Sequence, residues 1–228
     1  MAIITVSREY GSGGRKVSAK VAEALGYFLL DKDLIRGVAL EANVPVSEVE
    51  GFDEQPEHPI ARAVRKLLTP IHPGVVTGFE GDLWGTMVGV PGLGEEGALP
   101  ENLDEDAYVG LTQKVMLHIA NRGNVVITGR GSQALFSDRT DVLHVRIVSN
   151  EVFKIQYLIE EEGLLREDAI KLIRKVDDQR RRYIKRHFGI MWDRPEYYHT
   201  IINTEKTGID GASHLIAEAG RRLQMKTG

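Results

Sequence analysis

The sequence predicts an α/β protein in three layers, with a mainly parallel sheet between helices on both faces. Short apolar runs alternate with segments of helical periodicity along the whole chain. The chain opens on such a pair, because the apolar run 2–6 leads through a glycine-rich turn into helical spacing from Val17. Polar loops follow three of the apolar runs, and parallel strands end at one edge of their sheet, so we expect these loops to form one ligand site. They are residues 7–15, 129–132 and 203–208.

The individual elements follow from local signals in chain order. Gly26 ends the first helix, and Asp31 stands at the N-cap of the next. Gly123 ends a later helix, Ser149 caps another, and a long helix starts near Arg166. The predicted strands cover residues 2–6, 27–30, 124–128, 142–148 and 200–203. The predicted helices cover residues 17–25, 31–43, 60–68, 105–121, 149–159, 166–187 and 210–223, with a further short helix that starts at Ser47.

A stretch without periodicity interrupts this pattern. Residues 69–102 contain eight glycines and four prolines, a composition typical of a long functional loop. We therefore interpret residues 45–106 as a mainly helical insert that contains this glycine-rich stretch. The α/β core then comprises residues 1–44 and 107–228.

Composition narrows the classes of function. The 228 residues carry a net charge of −4 and no cysteine, which excludes disulfides and thiolate metal sites and fits a reducing, cytoplasmic location. No apolar run approaches the roughly 20 residues that a membrane-spanning helix needs. Nine basic and four acidic residues lie between Arg166 and His187, but no aromatic stacking pattern accompanies them, so we expect no nucleic-acid partner. The seven histidines show no metal-ligand spacing, and we assign no metal ligand.

The glycine-rich turn after the first strand is typical of an anion site. Glycines allow backbone N–H groups to point inward, and the N-terminus of the following helix adds a partial positive charge. The common phosphate-binding pattern is G-x-x-x-x-G-K-[ST]. Aligned on Gly13 as its second glycine, this chain has Arg8 at the first glycine, Gly14 at the lysine and Arg15 at the hydroxyl residue. A glycine-rich turn without a ligand is the alternative.

Four stretches together resemble the cytidylate kinases, and more closely the divergent cytidylate kinase-like group. They are residues 4–15, 29–32, 126–131 and 201–204. The resemblance implies a P-loop NTPase-type core that binds ATP, with magnesium bridging the terminal phosphates. It also implies a substrate-side role for the insert, and an arginine-rich lid over about residues 174–198. The sequence departs from the family at the lysine and hydroxyl positions of the loop, and it has Thr128 and Gly131 where the family has acidic residues.

The resemblance further implies roles for individual residues. The first loop holds the phosphates of ATP, and Thr204 belongs to the adenine-contacting loop, whereas Lys16 fits an exposed position as well. Arg130 supplies positive charge to the acceptor phosphate. Asp31 and Arg36 lie in the segment that leads into the monophosphate-binding part, although Asp31 is equally well placed as an N-cap. The predicted ATP-binding residues are Gly11, Ser12, Gly13, Gly14, Arg15, Lys16 and Thr204. The predicted substrate-binding residues are Asp31, Arg36 and Arg130.

Phosphoryl transfer needs positive charge around the transferred group, and arginine can hold phosphate through two parallel hydrogen bonds. Arg174, Asp178 and Arg181 are spaced i, i+4 and i+7, so a helix places them on one face, where Asp178 could hold both arginines. A solvated face with ordinary ion pairs is the alternative. The spacing does not decide which of Arg180, Arg181 and Arg182 points inward. The predicted catalytic residues are Arg15, Arg130, Arg174, Asp178 and Arg181.

The sequence therefore predicts an ATP-dependent kinase for a nucleoside monophosphate, with CMP favoured by the resemblance. Glu9 and Asp177 are acidic candidates to organise magnesium through water. A kinase of the same fold that acts on another small acceptor is a second hypothesis, because the segment around Asp33 departs from the family pattern. A nucleotide-binding regulator without transferase activity is a third, because Gly14 stands where lysine is expected. The oligomeric state is not predicted.

Overall fold

The structure is a computed structural model that describes residues 2–31 and 105–227. The chain divides into two compact units, one made of Met1–Lys32 with Ile119–Gly228 and the other of Asp33–His118. The predicted glycine-rich stretch 69–102 and nearly all of the predicted insert lie outside the described residues.

The first unit is built on five parallel strands, as the alternating pattern predicts. Their order across the sheet is β2-β3-β1-β4-β5, so the first strand lies in the centre. Val6 of the central strand pairs with Thr128 on one side and with Val145 on the other. The strands are β1 (Ile3–Arg8), β2 (Phe28–Leu30), β3 (Val125–Thr128), β4 (Val142–Val148) and β5 (Thr200–Asn203). This arrangement confirms the α/β fold.

Helices connect the strands, and three begin at different residues from those predicted. The first helix begins at Gly14 instead of residue 17. The side chain of Asn150, not Ser149, caps one helix by accepting a hydrogen bond from the N–H of Phe153. The last helix begins at Thr204 and is kinked at Gly208, so the predicted start at residue 210 marks only the part after the kink. The helices are α1 (Gly14–Leu25), α2 (Glu105–Ala120), α3 (Ser132–Leu135), α4 (Glu151–Glu162), α5 (Arg166–Phe188) and α6 (Thr204–Thr227), with a 3₁₀ turn at Pro195–Tyr197. None of the helices in the described ranges has both the length and the apolar character that a bilayer crossing requires.

The two faces of β1 are covered by different parts of the chain, because successive strand residues point to opposite faces. Ile4 and Val6 lie in the apolar core formed with α1 and α6. Gly220 allows α6 to pack closely there, since a Cβ at this position would lie 2.9 Å from Cδ1 of Ile4. On the other face, the hydroxyl of Ser7 accepts a hydrogen bond from the indole N–H of Trp192 at 2.7 Å. The α1 and α6 residues of this core include Val17, Val21, Ala212 and Ile216.

The sheet order brings two of the predicted polar loops together. β1 and β3 are neighbours, so the loop after Arg8 and the loop after Thr128 leave the same edge side by side. Open parallel sheets bind ligands at this edge. The fold therefore places the predicted phosphate loop next to Arg130.

Candidate active site

Residues 9–13, here called the glycine loop, connect β1 to α1. Gly11 and Gly13 have φ angles of 74° and 70°, in the left-handed region that favours glycine. A Cβ at Gly11 would also lie 2.9 Å from the backbone oxygen of Lys154. Gly13 is the N-cap of α1; no side chain caps this helix and its first turn contains no acidic residue. The helix thus begins with N–H groups and a partial positive charge that favour an anion.

The carboxyl side of β5 supports the glycine loop from behind. The fully buried hydroxyl of Thr204 donates to the backbone oxygen of Ser12 at 2.8 Å and lies 3.3 Å from that of Val148. The hydroxyl of Ser12 donates in turn to the backbone oxygen of Glu9 at 2.7 Å. Thr204 therefore fixes the shape of the loop, and its predicted adenine contact stays a prediction.

Arg8, the last residue of β1, crosses the site. A Cβ at Gly14 would lie 2.6 Å from Cβ of Arg8, and a Cβ at Gly129 would lie 2.4 Å from its Nη1. The side chain therefore passes over the first residue of α1 and ends against the loop that follows β3. Burial is the main cause that lowers the pKa of Arg8 to about 9.

Three more arginines act on Arg8, and the four are called here the arginine cluster. The charges of all three lower the pKa of Arg8, whereas one carboxylate, that of Asp31, raises it. Asp31 also pairs with a cluster member, since its Oδ2 lies 3.3 Å from Nη2 of Arg15. The cluster consists of Arg8, Arg15, Arg130 and Arg180. Three of the four charges that act on Arg8 are therefore positive, so positive charge is in excess around its guanidinium.

Arg130 is held by an unusual backbone. It has a φ of 56°, between Gly129 at 77° and Gly131 at 75°. A left-handed conformation is uncommon for a residue with a side chain, and such strain is often found at functional sites. A Cβ at Gly131 would lie 2.2 Å from the ring of Phe188, so this loop packs directly on the end of α5.

Helix α5 contributes the fourth arginine through its inner face. Nη1 of Arg180 donates to the backbone oxygen of Arg8 at 2.9 Å, and its guanidinium lies 5.6 Å from the ring centre of Tyr10. Oδ1 of Asp177 accepts from the backbone N–H of Tyr10 at 2.8 Å and lies 3.4 Å from Nη1 of Arg180. Burial raises the pKa of Asp177 and lowers that of Arg180. The inner face of α5 is therefore docked on the glycine loop.

Three predicted phosphate ligands form exposed ion pairs elsewhere. Nη2 of Arg174 lies 3.6 Å from Glu151. Arg181 pairs with Asp178, and its Nε lies 2.7 Å from Oδ2 of Asp193. Asp178 thus holds only one of the two arginines that its spacing suggested. The third, Lys16, has its Nζ 2.5 Å from Glu161.

The matching protein-family model is described as the cytidylate kinase-like family, and it covers residues 3–206. The chain belongs to the cytidylate kinase-like family. No protein with a curated description matches the sequence.

A solved structure shares the fold of this cytidylate kinase-like protein. The crystal structure of an uncharacterized protein from Eubacterium ventriosum is 19% identical, with a TM-score of 0.65 over 97% of this chain and 99% of that chain. Shikimate kinase from Acinetobacter baumannii in complex with shikimate is 14% identical, with a TM-score of 0.44 over 100% and 94% of the two chains. The family supports a phosphotransferase of the nucleotide kinase type.

The acidic residues near the glycine loop do not fit a protein-held magnesium site. Oε2 of Glu9 accepts from Nζ of Lys154 at 3.0 Å, and its Oε1 lies 3.5 Å from Nη2 of the buried Arg146. Asp177 is bonded to the loop, and Arg15 stands where a hydroxyl ligand is expected. Within residues 2–31 and 105–227, no group of three or more His, Cys, Asp or Glu side chains could hold a metal ion. Magnesium usually binds through one or two carboxylates, substrate phosphates and waters.

Two members of the arginine cluster are absent from the predicted site, namely Arg8 and Arg180. Sequence signals for both exist. The alignment that places Gly14 at the lysine position also places Arg8, a positively charged residue, at the position of the first glycine. Ala169, Ile173 and Ile184 are buried on α5 and mark its inner face by helical spacing, and Arg180 falls on that stripe. Of the other predicted residues, Arg36 lies outside the described residues.

Proposed function

We propose that this protein transfers the γ-phosphoryl group of ATP to a nucleoside monophosphate, with CMP as the first acceptor to test. The observation that supports this most is the arginine cluster at the N-terminus of α1. Of the four side-chain charges that act on Arg8, three are the positive charges of the other cluster members and one is the negative charge of Asp31. A site with this excess of positive charge suits a ligand with several negative charges, and ATP with an acceptor phosphate is such a ligand.

The donor half of the site would lie on the glycine loop. The first N–H groups of α1 and the guanidinium groups of Arg8 and Arg15 would contact the phosphates of ATP. The loop backbone is fixed before the ligand arrives, because Thr204 donates a hydrogen bond to the backbone oxygen of Ser12 and the hydroxyl of Ser12 donates to that of Glu9. Preorganised donors are the largest source of rate enhancement in phosphoryl transfer, where the protein does little covalent work.

The acceptor half would lie between Arg130 and Arg180. Arg130 would hold the phosphate of the monophosphate, one oxygen of which attacks the γ-phosphorus while ADP leaves. Arg180 comes from a different element, helix α5, and would contact the transferred group from the other side. Predicted acceptor contacts of Arg36 belong to the segment outside the described residues.

Magnesium enters this proposal only as part of the nucleotide. Within residues 2–31 and 105–227, no group of three or more His, Cys, Asp or Glu side chains is placed to hold the ion. Within the site, charge neutralisation by this chain comes from arginine side chains and from backbone N–H groups.

The test is a turnover assay with MgATP and a panel of acceptors. CMP, UMP, AMP, GMP and a set of phosphorylated and unphosphorylated small metabolites are compared, and ADP and the phosphorylated product are both measured. We expect a nucleoside diphosphate from CMP at the highest kcat/KM. Faster reaction with a non-nucleotide would assign the protein to another small acceptor. ATP binding without product from any acceptor would support a nucleotide-binding regulator instead.

A further inference from the structure

We infer that Arg8 binds the donor phosphates in place of the missing phosphate-loop lysine. Relative to the common pattern, the cation and a glycine are exchanged between positions 8 and 14. This inference rests on the proposed function, since it names the residue that contacts the donor phosphates. In the common pattern the lysine at the start of the helix reaches the β- and γ-phosphates. Here the positive charge reaches the same region from the end of β1.

The two positions compete for one volume. A Cβ at Gly14 would lie 2.6 Å from Cβ and 3.2 Å from Cγ of Arg8. Contacts below about 3.0 Å do not occur between real Cβ atoms, so a side chain at residue 14 and the present side chain at residue 8 exclude each other. Only one of the two positions can therefore carry a long side chain. The common pattern has glycine at the position of residue 8 and lysine at that of residue 14, whereas this chain has arginine at residue 8 and glycine at residue 14.

The guanidinium of Arg8 ends where a donor phosphate would lie. Its Nη1 lies against Gly129, at the mouth of the loop that carries Arg130. This position lies between the start of α1 and the end of β3. The site forms here because β1, which leads into α1, and β3 are neighbouring strands. Gly129 leaves space for the guanidinium, because a Cβ there would lie only 2.4 Å from Nη1.

The surroundings of Arg8 call for an anion. Among residues 2–31 and 105–227, no side chain or backbone oxygen accepts a hydrogen bond from its guanidinium and no carboxylate forms an ion pair with it. Three of the four charges that act on it are positive. With a pKa of about 9 it stays protonated at neutral pH. A mostly buried cation among cations is costly, and a bound polyphosphate removes that cost.

Arg146 shows what a structural arginine in this fold looks like. It is buried, and it donates to the backbone oxygen of Trp192 at 2.7 Å and to Oδ1 of Asp193 at 2.9 Å. Its guanidinium also lies 4.2 Å from the ring centre of Trp192. Arg8 has no such set of partners among the described residues.

The experiment measures binding of inorganic tripolyphosphate, the bare phosphate chain, and of ATP to purified full-length protein by calorimetry. The variants are Arg8→Gln, Gly14→Lys and the double variant Arg8→Gly/Gly14→Lys, which restores the common pattern. Arg222→Gln, which removes an exposed cation paired with Glu218, is the matched control. Urea unfolding of each variant establishes that it is folded.

We expect Arg8→Gln to weaken tripolyphosphate binding about 10- to 100-fold, as for the loss of a charged hydrogen-bond donor, while Arg222→Gln leaves it unchanged. The double variant is expected to recover most of the affinity, which a merely structural role for Arg8 would not allow. If the double variant does not fold, Arg8→Lys takes its place and is expected to bind more tightly than Arg8→Gln.

Unchanged tripolyphosphate affinity in Arg8→Gln would overturn the inference, and so would a wild-type protein that binds neither tripolyphosphate nor ATP. A folded double variant that binds as weakly as Arg8→Gln would also overturn it. The proposed function fails separately. If tripolyphosphate binding depends on Arg8 but no acceptor is phosphorylated, the inference about Arg8 holds and the proposed kinase activity is wrong. If CMP is phosphorylated equally well by Arg8→Gln, the kinase holds and the inference does not.

Discussion

Helix α5 carries two similar pairs of charged residues, and they have different environments. Asp177 and Arg180 contact the glycine loop, and the side chain of Asp177 is 11% exposed. Asp178 and Arg181 pair with each other on the outside, and the side chain of Asp178 is 60% exposed. The difference is one residue along the helix, or about 100° around its axis. Charge and spacing alone therefore do not identify which pair can reach a ligand.

The apolar residues of α5 show which of the two pairs faces the glycine loop. Ile173 and Ile184 are buried, and Asp177 lies on the same stripe, four residues after the first and seven before the second. Arg174 lies off this stripe, and its side chain is 72% exposed. The spacing of Arg174, Asp178 and Arg181 correctly describes one face of the helix, but that face is directed away from the glycine loop.

The largest predicted difference between the inner and outer pairs of α5 is in catalysis. Arg180→Gln is expected to lower kcat/KM for the acceptor roughly 100- to 1,000-fold, because losing one preorganised donor to the charge that develops in the transition state has an effect of this size. Arg181→Gln is the matched control, and we expect less than about a threefold change because exposed ion pairs contribute little. Steady-state kinetics with MgATP and CMP measure both. A larger loss of kcat/KM in Arg181→Gln than in Arg180→Gln would mean that the outer face of α5 carries the catalytic arginine, as the sequence predicts.

The end of α5 gives the next largest effect, on stability. Gly131→Ala is expected to lower the free energy of unfolding by about 2–3 kcal/mol, because the added Cβ adds a clash to a left-handed backbone. That Cβ would lie 2.2 Å from the ring of Phe188. Gly163→Ala is the control, since its φ of 67° is similar but its Cβ would meet nothing within 4 Å. Its loss should be about 1 kcal/mol. Equal losses in urea unfolding would mean that α5 does not rest on the Arg130 loop.

Much of this architecture could be predicted from the sequence, because it depends on local patterns. The strand 142–148 and the helix from Arg166 match their apolar periodicity, and the glycine loop follows β1 as its composition indicates. The start of α6 was not visible, because Gly208 interrupts the helical pattern with a φ of 69° and a ψ of 169°. A short helical piece before such a break has no periodicity of its own.

The partners of the charged residues could not be predicted, because they depend on contacts between distant segments. Glu9 looks like a magnesium ligand in the sequence, but Lys154 and Arg146 surround it in the structure. Arg8 looks like a defect in a phosphate loop until its side chain is seen to fill the space above Gly14. Both outcomes follow from the sheet order, which no local pattern specifies.

Glu9 provides a test of the difference between charges that support the loop and charges that face the ligand. Glu9→Gln is expected to lower the free energy of unfolding by about 2 kcal/mol, because it leaves Lys154 and the buried Arg146 with one anionic partner fewer. Glu161→Gln removes the exposed partner of Lys16 and should cost less than about 0.5 kcal/mol. Urea unfolding at neutral pH measures both variants. Similar values for the two would mean that Glu9 is not a structural residue of the loop.

The smallest predicted effect returns to the two aspartates of α5. Asp177→Asn keeps an oxygen for the N–H of Tyr10 but removes a negative charge beside the arginine cluster, so tripolyphosphate affinity should rise about threefold to tenfold. Asp178→Asn is the control and should leave that affinity unchanged, because its charge is exposed and paired with Arg181.

The contribution of Asp177 to the stability of the wild type has a definite pH dependence. Burial raises the pKa of Asp177 above its ordinary value of 3.8, so between these two pKa values the folded protein binds a proton that the unfolded chain does not. The stability of the wild type relative to Asp177→Asn should therefore increase as the pH falls from neutral toward 3.8. Urea unfolding between neutral and acidic pH measures the difference. The opposite slope would mean that the carboxylate is stabilised by its cationic neighbours more than it is penalised by burial.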